Sequence, residues 1–287
     1  MRRWATTTVQ ATLNLRDAKK IPIPYPPLDE QRRIAGVLGA LEDKIELNRK
    51  MNRTLEEMAQ AIFKSWFIDF DGVPQSEMVD SELGPIPKGW QAKPLDSIAT
   101  FLNGAACQRY PAADGERSLP VIKIRELNQG ISDRTDRASM QQMPRKWWVE
   151  DGDLLFSWSG SLLVKIWTGG RGALNQHLFK VTSTRYPRWF LLAWVRHHLH
   201  VFQRIAAAKA TTMGHIKRRH LTEALCAVPP DEVVARQGAT ISPLVDRAVT
   251  NELESRVLEE LRDALLPQLI SGEIRVPEAE KAVEAVL

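Results

Sequence analysis

The chain repeats itself. Slid along itself by 203 positions, Pro26–Lys64 meets Pro229–Pro267 with eleven identities, among them Pro26/Pro229, Pro27/Pro230, Arg33/Arg236, Asp43/Asp246, Asn48/Asn251, Arg53/Arg256 and the run Leu55-Glu56-Glu57/Leu258-Glu259-Glu260. Ordinary residue usage gives about two or three over such a length. The pairing continues upstream without a gap through Ala5/Ala208, Thr8/Thr211 and Arg16/Arg219, so each copy follows a similar polar, Thr-bearing segment. Two copies of one module are therefore present, and every other reading must accommodate them. Each opens with a double proline, which disfavours helix before it, and runs on through charged, Gly-poor sequence that favours helix after it. In the first copy Ile34, Leu38, Leu41, Ile45, Asn48, Asn52, Leu55, Ala59, Ile62 and Trp66 alternate at steps of four and three, which is a heptad seam. Ile241, Leu244, Ala248, Asn251, Leu258, Leu265 and Leu269 continue it in the second copy, with Gln237, Ser255 and Arg262 as polar interruptions. Pro243 predicts either a kink or, with Ser242 as cap, a fresh helix start. A helix of about 35 to 40 residues would be about 55 Å long.

Charge separates what lies between the copies from what flanks it. Gly84 to Pro230 holds 21 Lys+Arg against 10 Asp+Glu, a balance of +11, with all six histidines and seven of the nine tryptophans. The remainder carries 18 basic and 25 acidic residues. A basic domain between acidic flanks points to a polyanion, because cations displace the counterions that phosphates condense. Before it, residues 69–87 are acidic and rich in Gly and Pro, a linker. Inside it, Leu119–Ile124, Asp153–Ser157 and Leu178–Thr182 predict strands and Pro187–Ala208 a helix, so the domain is mixed α and β. Cys107 and Cys226 stand far apart, outside any disulfide or zinc-ligand spacing, and suit a reducing cytosol. The longest apolar run, Trp189–Val195, is far short of a membrane span, and Met1-Arg2-Arg3 leads into no apolar core of a signal peptide. The expectation is a soluble, cytoplasmic protein with no membrane contact.

Several phrases then carry a family resemblance: Ile21-Pro22-Ile23-Pro24-Tyr25-Pro26-Pro27-Leu28-Asp29-Glu30-Gln31 leading into a long helix, Leu83-Gly84-Pro85-Ile86-Pro87-Lys88-Gly89-Trp90, Gly152-Asp153-Leu154-Leu155-Phe156-Ser157, Asn175-Gln176, and the ending Leu269-Ile270-Ser271-Gly272-Glu273-Ile274. Together they resemble the specificity subunit of type I restriction-modification systems, over about Thr6 to Val276. The resemblance implies an α+β plan in which target-recognition domains alternate with two scaffold helices paired as an antiparallel coiled coil. It implies that the helices dock methyltransferase (modification) subunits and set the distance between half-sites, with a restriction/translocase subunit joining indirectly. Residues 1–25 then look like the remnant of a first recognition domain, 26–68 and 231–270 like the two scaffold helices, 84–230 like a target-recognition domain and 271–287 like a C-terminal tail. The chain looks like the back half of such a subunit, which opens a further partnership: a second copy, head to tail, making a homodimer that reads a symmetric target.

No catalytic constellation is found: no phosphate-cradling P-loop, no GxGxxG, no HExxH, no GxSxG and no methyltransferase Asn-Pro-Pro-aromatic motif. No catalytic residue, cofactor or metal is expected. His197, His198 and His200 spread over more than one helical face without an acidic or thiol neighbour, which predicts a surface or DNA-facing role rather than ligation. Gly169-Gly170-Arg171-Gly172 reads as a turn, and Trp147 and Trp148 as core. Candidate DNA-binding residues are the polar groups clustered in predicted loops: Lys123, Arg125 and Asn128; Trp158, Ser159 and Lys165; Asn175, Gln176 and His177; Thr211, Thr212, His215, Lys217, Arg218 and Arg219. The function expected is sequence-specific binding of double-stranded DNA by a non-catalytic subunit reading one half-site. The alternatives are a free-standing DNA-binding regulator, and a self-sufficient nuclease or methyltransferase lacking visible chemistry. In an antiparallel pair only residues near the centre oppose their own repeat equivalents, so Asn48 and Asn251 are predicted to face each other and set the helix register, each amide satisfying the other.

Overall fold

The computed structural model describes residues 15–21, 26–208 and 214–287. After the single turn α1 (Leu15–Ala18), helix α2 (Leu28–Phe67) starts directly behind Pro26-Pro27, and α7 (Asp231–Ser271) directly behind Pro229-Pro230. Proline before the first turn removes a donor that a helix start cannot satisfy anyway, and Asp29, Glu30, Asp231 and Glu232 place negative charge against the positive helix end. Helix α7 passes through Pro243 without interruption, so Ser242 caps nothing; its hydroxyl instead donates to Asp246 at 2.9 Å. The expected alternative of a fresh start there is corrected: packing of the flanking turns outweighs the one hydrogen bond that proline removes.

The chain divides into two compact units, one made of the described residues up to Leu47 with Val257–Leu287, the other of Asn48–Arg256. In the first, Ile34, Val37, Leu41 and Ile45 of α2 bury against Leu258, Leu265 and Leu269 of α7. Arg262 crosses between the helices to Glu42 at 2.6 Å. The segment 271–287, expected as a tail, contains helix α8 (Val276–Glu284), which begins after Gly272 turns the chain at φ 76° and buries Val276, Ala279 and Val283 in the same core. Its apolar residues recur at steps of three and four, a spacing that gives a nine-residue helix one sticky face.

In the second unit the helices run antiparallel, since Asn48 meets Glu254 and Ser255 while Asn52, further along α2, meets Ala248, earlier on α7. The domain between them is mixed α/β. Residues 69–87, read as linker, hold a short antiparallel pair, β1 (Met78–Val79) with β2 (Ile86–Pro87), the latter buried. Strand β3 (Gln91–Pro94) pairs with β12 (Leu225–Val228), joining the two ends of the domain. One four-stranded sheet has the order β6 (Arg137–Ser139), β5 (Ser118–Ile122), β10 (Gly172–Leu174), β7 (Trp148–Val149), with β5 and β10 parallel. The other is antiparallel: β4 (Thr100–Asn103), β11 (Leu178–Thr182), β8 (Leu154–Ser157), β9 (Val164–Ile166). Short helices α3 (Leu95–Ile98), α4 (Ile124–Gln129) and α6 (Arg218–Glu223) edge the sheets, and α5 (Arg188–Ala207) buries Trp189, Phe190, Trp194 and Phe202. The core includes two rings from α2, Phe63 and Phe67, stacked at 4.9 Å. Neither lies on the predicted heptad seam. Each sits one place beyond a seam residue, Ile62 or Trp66, because the end of α2 turns its apolar face toward the domain rather than along α7.

Candidate nucleic-acid interface

Four loop segments converge on one rim of the domain. Trp158, after β8, donates its indole N–H to Asn103 Oδ1 at 3.0 Å and to the Gln176 carbonyl at 3.1 Å. Its backbone carbonyl accepts from Ile216 N at 3.0 Å, and Gly160 N donates to the Gly214 carbonyl at 2.8 Å. Ser159, 2% exposed, lies with its hydroxyl 2.9 Å from His177 Nδ1. The imidazoles of His177 and His215 flank the Trp158 ring at 5.7 and 6.3 Å between centroids. Segments 103–108, 158–160, 175–177 and 214–216 thus hold one another, as a rigid platform for recognition requires. Gly104 permits it: a Cβ there would lie 2.1 Å from the Asn175 carbonyl oxygen, so no side chain fits where β4 leaves its sheet.

Beside this platform lies a concavity of about 720 Å³ lined by Gln108, Lys123, Asp136, Arg137, Gln176 and His177, with Cys107 and Asn175 buried at its base. Lys123 and Asp136 form an ion pair in its lining, and the carboxyl of Asp136 is held below its ordinary range by that hydrogen bond and then by the ammonium's charge. Arg137 is fixed by Ser118, donating Nε to the hydroxyl and Nη2 to the carbonyl, both at 3.0 Å. Burial pushes the Cys107 thiol up to about 11, so the floor is neutral. At the start of α6, Lys217, Arg218 and Arg219 are exposed; Arg218 leans over the Phe179 ring and reaches the Phe101 carbonyl at 3.3 Å, and Arg219 Nε donates to His220 Nε2 at 3.4 Å.

The structure brings together Trp158, Ser159, Asn175, Gln176, His177 and His215, with Lys123 in the adjoining concavity. Asn128 is exposed on α4. Thr211 and Thr212 lie outside the described residues. Two candidates are engaged in ion pairs away from this group. Lys165 sits on β9, not in a loop, and its ammonium meets Glu252 of α7 at 3.1 Å, so strand alternation turns it away from the rim. Arg125 commits its fork to Glu126, 1% exposed, at 2.9 and 2.6 Å, because a buried carboxylate requires a compensating charge. Of the three histidines read as surface residues, His197 and His200 are exposed, whereas His198 stacks on Trp194 at 6.0 Å, approaches the Leu225 carbonyl at 3.0 Å, and is pushed down to about 4 by burial and then by His197. Trp147 and Trp148 are half-buried, each with a cation over its ring, Lys146 at 4.5 Å and Arg145 at 5.5 Å. Sequence reasoning missed Asn103, Gln108 and Arg137; only the Asn103-Gly104 pair after a strand could have signalled a sharp loop there.

Asn48 and Asn251 are wholly buried side by side, with partners other than those predicted. Asn48 Nδ2 donates to Glu254 Oε2 at 2.8 Å, Ser255 Oγ at 3.2 Å and the Asn251 backbone carbonyl at 3.3 Å, while Asn251 Nδ2 donates to Asn52 Oδ1 at 2.8 Å. Both Oδ1 atoms lack a protein partner, so the amides do not satisfy each other. Among the described residues no helix is long and apolar enough to cross a membrane, and no group of three His, Cys, Asp or Glu is placed to hold a metal.

Residues 5–57 match the Type I restriction modification DNA specificity domain. The chain is 30% identical over 272 residues to the specificity subunit of the type I restriction enzyme MjaIX of Methanocaldococcus jannaschii, an alignment covering 91% of this chain and 62% of that one. This chain is similar to type I specificity subunits. It is also 21% identical to the HindI specificity subunit of Haemophilus influenzae, with 88% of this chain and 69% of that one covered. The crystal structure of the type I restriction-modification S subunit from M. genitalium shares the fold at a TM-score of 0.54 and 15% identity, over 93% of this chain and 68% of that one. The chain thus spans about three fifths of the length of the MjaIX specificity subunit.

Proposed function

We propose that this chain is the non-catalytic DNA-reading subunit of a type I restriction-modification enzyme, recognising one half-site of double-stranded DNA through the Trp158 platform and its concavity. One observation carries the reading: four loop segments of a +11 domain are locked together by their own hydrogen bonds into a rim of amides and imidazoles, with the exposed Lys217, Arg218 and Arg219 next to it. Lys217 and Arg219 hold phosphates, and the long helices dock the methyltransferase subunits, through which a restriction/translocase subunit joins. Domain limits follow the helix ends, with 84–230 as the recognition domain and 26–68 and 231–270 as scaffold. The test is a salt titration of duplex binding. Lys217→Glu with Arg219→Glu should weaken binding to all sequences and lower the slope of log affinity against log salt by about one for each phosphate no longer neutralised. Methyl transfer to DNA by the purified chain alone would overturn the reading.

Asn48 and Asn251 act in it as a register lock, because sliding α2 along α7 would strand two buried amides. A second copy pairing head to tail would complete a symmetric reader. Light scattering at tens of micromolar that finds only monomer counts against that pairing.

A further inference from the structure

We infer that the concavity beside Trp158 is where sequence is read, that Gln108 and Gln176 do the reading, and that what they read is the edge of an adenine-bearing base pair. The inference rests on the function proposed above and narrows it. A phosphate-holding surface offers a cluster of unpaired cations, whereas here Lys123 is neutralised by Asp136, and the one further cation, Arg137, is held in place by giving two of its five donors to Ser118. The floor holds a buried neutral thiol and the Asn175 amide, whose oxygen already accepts from the His177 backbone at 3.2 Å. Beside Arg137, the neutral polar groups lining the space are two carboxamides, Gln108, exposed, and Gln176, half-buried, with the His177 imidazole beside the second at 3.5 Å. A carboxamide presents one donor and one acceptor side by side, which matches the N7 acceptor and N6 donor of adenine in the major groove; guanine presents two acceptors and suits a charged fork instead. At about 720 Å³ the space is many times the ~30 Å³ share of one water, so a base edge has room to enter. The exposed cations Lys217 and Arg219 lie on a different element, at the start of α6, so affinity and specificity are carried by separate residues.

Binding-site selection from a random duplex library with the full chain tests this, using wild type, Gln108→Ala, Gln176→Ala and the Lys217→Glu/Arg219→Glu double variant. Thermal melting confirms that each variant is folded. The expected result is that wild type enriches a sequence containing A·T pairs, and that each Gln variant loses about tenfold to hundredfold discrimination at one such position while keeping the wild-type salt slope. The double variant should keep the preferred sequence with lower affinity. Gln variants that enrich the unchanged sequence, or that lose affinity for all sequences alike, overturn the assignment of the concavity while leaving DNA reading by the rim intact. A wild-type chain that enriches no sequence overturns the functional reading and this assignment together.

Discussion

The two long helices are copies in sequence, yet they meet the recognition domain through different balances of packing and charge, with one ion pair from α2, Glu56 with Arg196, against four from α7. Helix α2 enters its core with rings: Phe63 packs edge-on against Trp194 at 5.1 Å, and Phe67, wholly buried, meets Trp90, Trp189 and Phe190 within 6 Å. Helix α7 contributes Val234 and Ile241 to that core, but it also meets the domain through a row of ions: Asp231 with Arg185, Asp246 with Arg188, Glu252 with Lys165, and Arg256 with Asp151. Arg256 also donates to the Thr168 carbonyl, and Glu252 accepts from the Thr168 hydroxyl at 2.9 Å, so the β9–β10 turn is held by polar side chains. Hydrophobic burial is unaffected by moderate salt and given up only on unfolding, whereas part-exposed ion pairs are weak and screened. The domain is therefore anchored on α2 and latched to α7, and a ligand that perturbs the domain will move it against α7 first.

The largest effect expected is from Phe67→Ala, which removes a ring with no exposed surface. It should cost about 3 to 5 kcal/mol in denaturant unfolding, independent of salt. A cost below about 1 kcal/mol would mean that the anchor lies elsewhere.

Acid should separate the two surfaces next. His198 stacks on Trp194, the ring that receives Phe63, and its folded-state value of about 4 lies below the ordinary 6.5. Between those values the unfolded chain binds a proton that the native chain refuses, so stability is full above about pH 6.5 and falls as pH drops toward about 4. The limit is about 3 kcal/mol at 1.36 kcal/mol per unit. His198→Phe should flatten the part of the stability profile that His198 controls, and an unchanged slope would locate the acid sensitivity in other groups.

The smallest effect is expected at the latch. Arg256→Ala should cost no more than about 1 kcal/mol at low salt and nothing measurable at about 1 M, where charges are screened beyond ~3 Å. Hydrogen exchange should report it first, as faster exchange in the β9–β10 turn. Equal destabilisation at both salt concentrations would show that the latch is packing after all.

Much of the plan was legible because local rules act on it. Double prolines set the start of both long helices, the heptad spacing marked Ile34, Leu41, Ile45, Leu258 and Leu265 for burial, and apolar patterning located β8, β11 and α5 closely. The rim was legible in part: Trp158-Ser159 and Asn175-Gln176-His177 carry polar groups just outside apolar strands, where loops must lie. Residue order alone establishes two equivalent helices and one basic domain, since repetition and charge can be read without knowing what touches what. Which cations are drawn into ion pairs is a matter of folding. Lys123, Arg125 and Lys165 read alike with Lys217 and Arg219 along the chain, but folding sets Asp136, Glu126 and Glu252, standing 13, 1 and 87 positions away, against the first three. Likewise, residue order marked Asn48 and Asn251 as a matched pair, while their partners Asn52, Glu254 and Ser255 follow from the offset between two packed helices. Coulomb attraction and hydrogen bonding act over a few ångströms of space, and sequence distance does not measure that separation.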